Sequence, residues 1–298
     1  MTAQRRTGPA SDRPRPTARS SQRRRRRWLT AGRYLVLSLA SLVSLGPLVY
    51  LVLVSLRENS YSLTSPADLL TGQHSFANYR QAWAAGDLSQ SFLNSIVLAV
   101  GTTGLVVLLG SMMAYGFARF RFPGRGLLFA LIVVELMVPA IMLIIPQFIL
   151  ARDLHLLDSR WGLLLVYVGT NLAFNTFLLR GFFAGVPVEL EESMRIDGAG
   201  PWRRYWQLML PLAKPALATC AIFSFLGAWD EYVWTMTIIS SPDKRTLPLS
   251  IALFSGAHQT NWGLTFAASA IALIPVLIVF FCCQRQFVGG ITAGALKS

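Results

Sequence analysis

Three acidic residues of this 298-residue chain lie inside long apolar stretches, where a charge is costly. Glu135 is followed by two prolines, and Asp230 and Glu231 come directly after Trp229. A charge at the middle of a bilayer costs about 2.5–3.5 kcal/mol on insertion scales, so it usually faces a cavity or a partner. Carboxylates can accept hydrogen bonds from hydroxyl groups, and aromatic rings can stack on a flat solute. The pattern allows either a path for a polar solute or a polar lock between helices or subunits.

Patterns typical of catalysis are missing from the sequence. A phosphate-binding P-loop needs Gly, four residues, and then Gly-Lys-Ser/Thr, but Lys214, Lys244 and Lys297 do not follow a glycine. The three histidines and three cysteines have no metal-ligand spacing. No Ser-His-acid set converges within one loop. We therefore predict a non-enzymatic chain with no catalytic residue, no metal site and no cofactor.

The composition is typical of a membrane protein. Hydrophobic residues make up 53% of the chain and charged residues 14%. A helix needs roughly 20 apolar residues to cross a bilayer. Six intervals are long enough, and they lie near residues 34–56, 92–117, 127–150, 161–183, 213–240 and 263–283. We predict an all-α, polytopic membrane protein with six transmembrane helices.

Lysine and arginine are distributed unevenly around these spans. With the N-terminus inside, 21 of the 27 fall on the inner side, so the positive-inside rule places both termini in the cytoplasm. We divide the chain into a disordered basic tail (1–33), a first helix with an external loop (34–89), a transmembrane core (90–284) and a C-terminal tail (285–298). The tail carries 11 of the cations, and its position favours contact with anionic lipid over nucleic acid.

One polar stretch, 187–211, interrupts the apolar pattern between the fourth and fifth predicted spans. Pro187 can open a short helix, and Gly198 can end it in a left-handed conformation. Pro201 can begin a second short helix, whose bulky side would hold Trp202, Tyr205, Trp206 and Met209. In the predicted topology this stretch faces the cytoplasm. It fits either a knob that docks into a partner or an amphipathic segment that lies on lipid headgroups.

The same stretch resembles the EAA loop of the membrane subunits of binding-protein-dependent ABC importers. That family pattern reads E-A-A, three residues, G, nine residues, I, one residue, L-P. The residues at the matching offsets are Glu192, Ser193, Met194, Gly198, Leu208, Leu210 and Pro211. Ser193, Met194 and Leu208 depart from the letters of the pattern, but the spacing is complete. Asp197-Gly198-Ala199 also fits the common D-G-A of the family.

Other phrases resemble the carbohydrate branch of this family, the MalG-like permeases. They include Phe76-Ala77-Asn78-Tyr79, Trp229-Asp230-Glu231-Tyr232, Thr246-Leu247-Pro248 and Trp262-Gly263. The resemblance covers nearly everything after the basic tail. It implies the type I ABC importer permease fold and the transport of a sugar or oligosaccharide across the bacterial cytoplasmic membrane.

The resemblance also implies partners and site residues. In this family the loop docks into a groove on the ATP-hydrolysing subunit, which implies a pair of ABC ATPases, a second, MalF-like permease, an external substrate-binding protein and a sugar. The implied coupling residues are Leu190, Glu192, Met194, Asp197, Gly198, Ala199 and Pro211. The possible substrate pathway holds Glu135, Trp229, Asp230 and Glu231. Glu135 matches no family motif, which makes it the better candidate for a substrate-specific contact.

An ion-coupled secondary transporter or channel is the alternative function. It would use Glu135 and the Asp230–Glu231 pair as ion sites. It leaves the long polar stretch 187–211 unexplained, and the sequence shows no internal repeat of the kind that such carriers often have.

Overall fold

A computed structural model describes residues 18–57, 74–84, 88–254 and 260–295, with side chains between residues 29 and 283. Within these residues the regular structure is helical and includes no β-strand, which confirms the all-α prediction. The chain divides into two compact units, Met1–Leu51 and Val52–Ser298. Helix α1, Ala18–Ser55, begins in the first unit and ends in the second.

The remaining helices all belong to the second unit. In chain order they are α2 (Ala77–Ala84), α3 (Leu88–Arg119), α4 (Arg125–Glu135), α5 (Ile144–Asp153), α6 (Arg160–Ala184), α7 (Val188–Ile196), α8 (Pro201–Arg204), α9 (Leu210–Leu212), α10 (Lys214–Trp229), α11 (Val233–Ile238), α12 (Leu247–Ala252) and α13 (Trp262–Ala295). Short 3-10 turns cover Ala140–Leu143 and Pro242–Lys244, and a π-helical turn covers Tyr205–Met209.

Both predicted tails are partly helical. The sequence predicts a disordered tail through residue 33, whereas α1 begins at Ala18; residues 1–17 lie outside the described part. Arginine is a good helix former, and a helix that is already nucleated extends at little cost. At the other end, α13 continues to Ala295, so the predicted tail 285–298 is helical over most of its length.

Four helices are long and apolar enough to cross a membrane, namely Leu29–Ser55, Leu88–Arg119, Arg160–Ala184 and Trp262–Cys283. Two bent helix pairs also qualify: Arg125–Glu135 with Ala140–Asp153, bent by 100°, and Pro201–Leu212 with Lys214–Trp229, bent by 79°. By length and composition, the described residues therefore contain four candidate spans, or up to six if each bent pair is one span. The four continuous spans agree closely with the intervals predicted from sequence.

The third and fifth predicted spans are corrected, because each is broken. The third stops at Glu135 and resumes only after Pro139, which has extended backbone angles of φ −59° and ψ 123°. Proline lacks an N–H and disfavours helical geometry in the residue before it, so the helix cannot run through this point. The fifth ends at Trp229 and restarts as α11 at Val233, instead of continuing to residue 240.

The bundle is built on α3, α6 and α10, and its core divides into two clusters at opposite ends of these helices. One cluster surrounds Trp229 and Tyr167 and reaches α11, α12 and the start of α13. The other surrounds Phe183 and Tyr205 and includes the end of α3 and the segment after α6. Small and polar residues, such as Asn175 and Ser224 (3.1 Å), allow close contact between the helices in the middle of the bundle.

Asn78 joins three elements near the start of the second unit. Its side-chain amide donates to the carbonyl oxygens of Ser55 (2.9 Å) and Arg57 (2.6 Å) at the end of α1. At Gly263, the second residue of α13, a Cβ atom would lie only 2.6 Å from the Asn78 amide nitrogen. A glycine is therefore required there, which gives a physical reason for the Trp-Gly phrase noted in the sequence.

Candidate functional site

The segment 187–211 forms the two short helices predicted from sequence. Pro187 directly precedes α7, and Gly198 has φ +74°, which confirms the left-handed helix end. The Gly198 N–H donates to the Arg195 carbonyl (3.1 Å) and the Ala199 N–H to the Met194 carbonyl (2.9 Å), the two bonds of a Schellman motif. Pro201 then begins α8. We call residues 187–211 the two-helix loop.

The inner face of α7 carries a buried carboxylate, Glu191, which is 5% exposed. The Nε of Arg119, at the end of α3, lies 2.6 Å from its Oε1, and a guanidinium nitrogen of Arg204 lies 3.5 Å from Oε2. The Tyr115 hydroxyl is also 3.5 Å from Oε2. Arg119 donates in addition to the Val186 carbonyl, just before α7 (2.5 Å). These contacts fasten the two-helix loop to α3.

Glu191 is the site residue that the sequence argument missed in favour of its neighbour Glu192. Glu192 is exposed. Successive helical residues are rotated by about 100°, so adjacent acids face different directions. The available signal was the spacing, because Glu191 lies three residues before the partly buried Met194 and shares its face.

The outer face of α7 is open and partly apolar. Leu190 is 42% exposed and Ile196 87% exposed, and Glu192 and Asp197 are also exposed. Met194 is half-buried, Ala199 is buried, and Pro211 is exposed at the far end of the loop. The predicted coupling residues therefore do not form one surface.

The bulky residues in the second half of the two-helix loop are likewise divided into buried and exposed side chains. Tyr205 and Met209 are buried, and the Tyr205 hydroxyl is hydrogen-bonded to Ser111 of α3 (2.7 Å). Trp202 and Trp206 are 61% and 54% exposed. The rings of Trp202 and Trp206 nevertheless contact the ring of Tyr205, with centroids 6.0 and 5.3 Å apart. The aromatic residues predicted for one side therefore lie together, and this group is buried at Tyr205 and exposed at the two tryptophans.

Two of the three carboxylates inside the predicted spans are exposed at places where helices break. Glu135 is the last residue of α4 and Asp230 directly follows α10, and both side chains are exposed. Trp229, by contrast, is 2% exposed, and its indole N–H donates to the Ala272 carbonyl of α13 (3.2 Å). Of these three, only the two acids present polar atoms on the surface of this chain.

Glu231 is occupied by hydrogen bonds within the protein. Its Oε1 accepts from the Trp234 N–H (2.6 Å), and its Oε2 accepts from the Thr235 N–H (3.1 Å) and from the Tyr167 hydroxyl of α6 (2.7 Å). The carboxylate thus caps the start of α11 and ties it to α6. This geometry is that of a polar lock between helices.

A second polar clasp lies in the turn between α5 and α6. Asp158 has φ 48°, and its carboxylate accepts from Lys244 Nζ (2.9 Å), from the Ser240 and Ser241 N–H groups (3.0 and 2.9 Å) and from the Ser241 hydroxyl. These donors, with the Lys244 ammonium first, lower the pKa of Asp158 well below its usual range. The clasp holds the turn against the segment between α11 and α12.

A family model for the "binding-protein-dependent transport system inner membrane component" matches residues 106–292. This range contains the two-helix loop, both helix breaks and most of the spans. The chain belongs to this family. It is therefore a multi-pass membrane protein and a transport permease subunit, as the resemblance implied.

Two relatives that are at least 30% identical cover most of the chain. The diacetylchitobiose uptake system permease protein NgcG of Streptomyces coelicolor is 35% identical over 94% of this chain and 92% of its own length. The arabinooligosaccharides transport system permease protein AraQ of Bacillus subtilis is 32% identical over 86% and 92%. A crystal structure of a bacterial ABC transporter involved in import of the acidic polysaccharide alginate contains a chain with a TM-score of 0.75 and 26% identity, covering 88% of this chain and 97% of that one.

Proposed function

We propose that this chain is a permease subunit of an ATP-driven importer that carries a sugar or oligosaccharide across the cytoplasmic membrane. The relatives described above are named for the uptake of diacetylchitobiose, arabinooligosaccharides and alginate, all of which are saccharides. The observation that carries the proposal is the two-helix loop, fixed to α3 on one face and open on the other. A secondary carrier has no evident use for such a loop.

The open face of α7 is the part that we assign to an ATPase partner. Its exposed apolar side chains, Leu190 and Ile196, can enter a groove, while Glu192 and Asp197 can pair with basic residues at the rim. Gly198 lets the chain turn sharply into α8. ATP hydrolysis belongs to the partner pair, and this chain receives the movement.

The inner face of α7 provides the contacts by which movement of the ATPase partner would reach the spans. Glu191 contacts Arg119 of α3 and Arg204 of α8. The chain leads from α8 through the π-helical turn and α9 to α10, with a bend of 79° before α10. A displacement of α7 is thereby passed to two spans of the bundle core at once. The loop faces the cytoplasm, and both termini lie on the same side, because this topology places 21 of the 27 cations inside.

The two helix breaks indicate where the sugar passes through the membrane. Backbone that is not helical at membrane depth cannot face lipid, because its carbonyl and N–H groups would lack partners. The breaks after Glu135 and after Trp229 must therefore face protein or a water-filled cavity. Glu135 and Asp230, exposed at these breaks, are the pathway candidates that remain, whereas Trp229 and Glu231 support the helices around them.

Reconstitution tests this function. The chain should be placed in liposomes with a related permease, two ATPases and the external binding protein, and the uptake of labelled oligosaccharides measured. We expect uptake only with hydrolysable ATP and with every component present. Uptake by this chain alone that follows an imposed ion gradient would establish the ion-coupled carrier instead.

A further inference from the structure

We infer that this subunit itself contacts the sugar during passage, through a surface on α6 and α10 made of Asn171, Phe174, Phe223 and Asp230. The inference rests on the proposed import of a saccharide. It adds a binding surface that includes one of the four pathway residues expected from the sequence and three that were not expected. We call these four residues the mid-span surface.

The two helices meet in register along this surface. The rings of Phe174 and Phe223 lie edge to face, with centroids 5.6 Å apart. One turn further along α10 is Gly227, where a Cβ atom would be 3.0 Å from the Asn171 side-chain oxygen. Asp230 follows Gly227 by three residues, so it lies on the same side of the helix end. The four residues therefore form one continuous strip.

The strip is open along its length. Phe174 is 38% exposed and Phe223 43% exposed, Asn171 is half-buried, and Asp230 is exposed. The Asn171 amide nitrogen donates to the Tyr167 carbonyl (2.8 Å), which fixes the side chain and leaves its oxygen beside Gly227. With a rise of 1.5 Å per residue, Phe223 lies about 14 Å from the start of α10, near the middle of the span.

A surface of this kind is unsuited to lipid. An exposed carboxylate and an amide in a membrane span each require a polar environment, which the acyl chains do not provide. A purely apolar contact with another helix would also leave Asp230 unmatched. Aromatic rings provide flat apolar faces for the C–H side of a sugar ring, and the amide and carboxylate oxygens accept hydrogen bonds from its hydroxyl groups. The combination therefore fits a saccharide.

The test uses the complete importer, with Phe223→Leu, Phe174→Leu and Phe223→Tyr compared with the parent. Leucine keeps the apolar character and removes the ring, whereas tyrosine keeps the ring. Phe280→Leu is the matched control, since Phe280 is also exposed (54%) but lies on α13. The measurements are sugar uptake, ATP hydrolysis stimulated by the loaded binding protein, and the yield of assembled complex.

We expect both leucine variants at the mid-span surface to assemble and hydrolyse ATP as the parent does, with sugar uptake about three- to tenfold lower, the effect of losing one aromatic contact. Phe223→Tyr and Phe280→Leu should retain uptake. If the leucine variants import sugar as well as the parent does, the inference that this surface contacts sugar is wrong, and the proposed function is unaffected. If the leucine variants instead reduce assembly, the surface is a contact between subunits. If the parent imports no saccharide, the proposed function fails first.

Discussion

The adjacent acids Glu191 and Glu192 allow the coupling scheme to be tested with a matched pair of variants. The Glu191 side chain is 6% exposed and lies between the guanidinium groups of Arg119 and Arg204, which are 13% and 18% exposed. Glu191→Gln keeps the shape and removes the charge, so two nearly buried cations lose their counterion. Glu192→Gln makes the same chemical change one residue away on the exposed face.

The expected loss of stability in Glu191→Gln follows from the burial of the Glu191 carboxylate. Removing one partner of a fully buried ion pair costs about 3–5 kcal/mol. Glutamine retains an oxygen that can accept from Arg119, and both arginines have some access to water, so we expect a loss of about 2–3 kcal/mol for Glu191→Gln. This corresponds to a decrease of roughly 5 °C in the unfolding midpoint. Glu192→Gln should change stability by less than about 0.5 kcal/mol, as is usual for exposed sites.

The assay combines thermal unfolding of the purified importer with the number of sugars imported per ATP hydrolysed. Glu191→Gln should lower both values, because a loosened α7 absorbs movement that should reach α3. Glu192→Gln should leave the midpoint unchanged and weaken co-purification with the ATPase. Equal midpoints for Glu191→Gln and the parent, or equal shifts for the two variants, would refute the role assigned to the buried carboxylate.

Three further predictions concern two glycines with special backbone or packing requirements and the ionic contact of Asp158. In Gly198→Ala the added Cβ meets no atom within 4 Å, but the residue must keep φ +74°, so the free energy of unfolding should fall by only about 1–2 kcal/mol. Gly198→Trp should fold comparably and abolish sugar uptake. Normal uptake by Gly198→Trp would contradict docking at this turn. Gly263→Ala should destabilise the chain by about 2 kcal/mol in thermal unfolding, because it displaces the Asn78 amide from its two carbonyl partners; an unchanged midpoint would contradict this contact. Because the pKa of Asp158 is lowered in the folded chain, its contribution to stability is present above the ordinary carboxyl pKa of about 4 and is lost as the pH falls further. Asp158→Asn, which tolerates the same positive φ, should therefore be less stable than the parent at neutral pH, with a difference that shrinks in acid; a difference independent of pH would argue against the ionic contact with Lys244.

The sequence predicted the local features of the two-helix loop well. Gly198 and Pro201 act through backbone geometry that is largely independent of the rest of the chain, so the helix end and the next helix start could be located directly. The continuous spans were equally accessible, because a run of apolar residues long enough to cross a bilayer has few other uses.

Features that depend on distant residues could not be predicted. Which of two adjacent acids turns inward is decided by Arg119, some seventy residues earlier in the chain. For Glu231 the sequence left both a solute path and a polar lock open, and only its contacts with Tyr167 and with the start of α11 identify the lock. The break after Glu135 had a visible cause in Pro139, but the size of the bend depends on packing between helices. The site residues of the loop and of the pathway stay predictions until variants are measured.

The central claim is that the open face of α7 is held by an ATPase on the cytoplasmic side. Ile196, 87% exposed, can be changed to cysteine in a chain whose three native cysteines are replaced by serine. Its reaction with a membrane-impermeant thiol reagent should then be measured with and without the bound ATPase. We expect labelling only from the cytoplasmic side and strong protection by the ATPase. Labelling from outside the cell, or labelling that the ATPase does not change, would contradict the account.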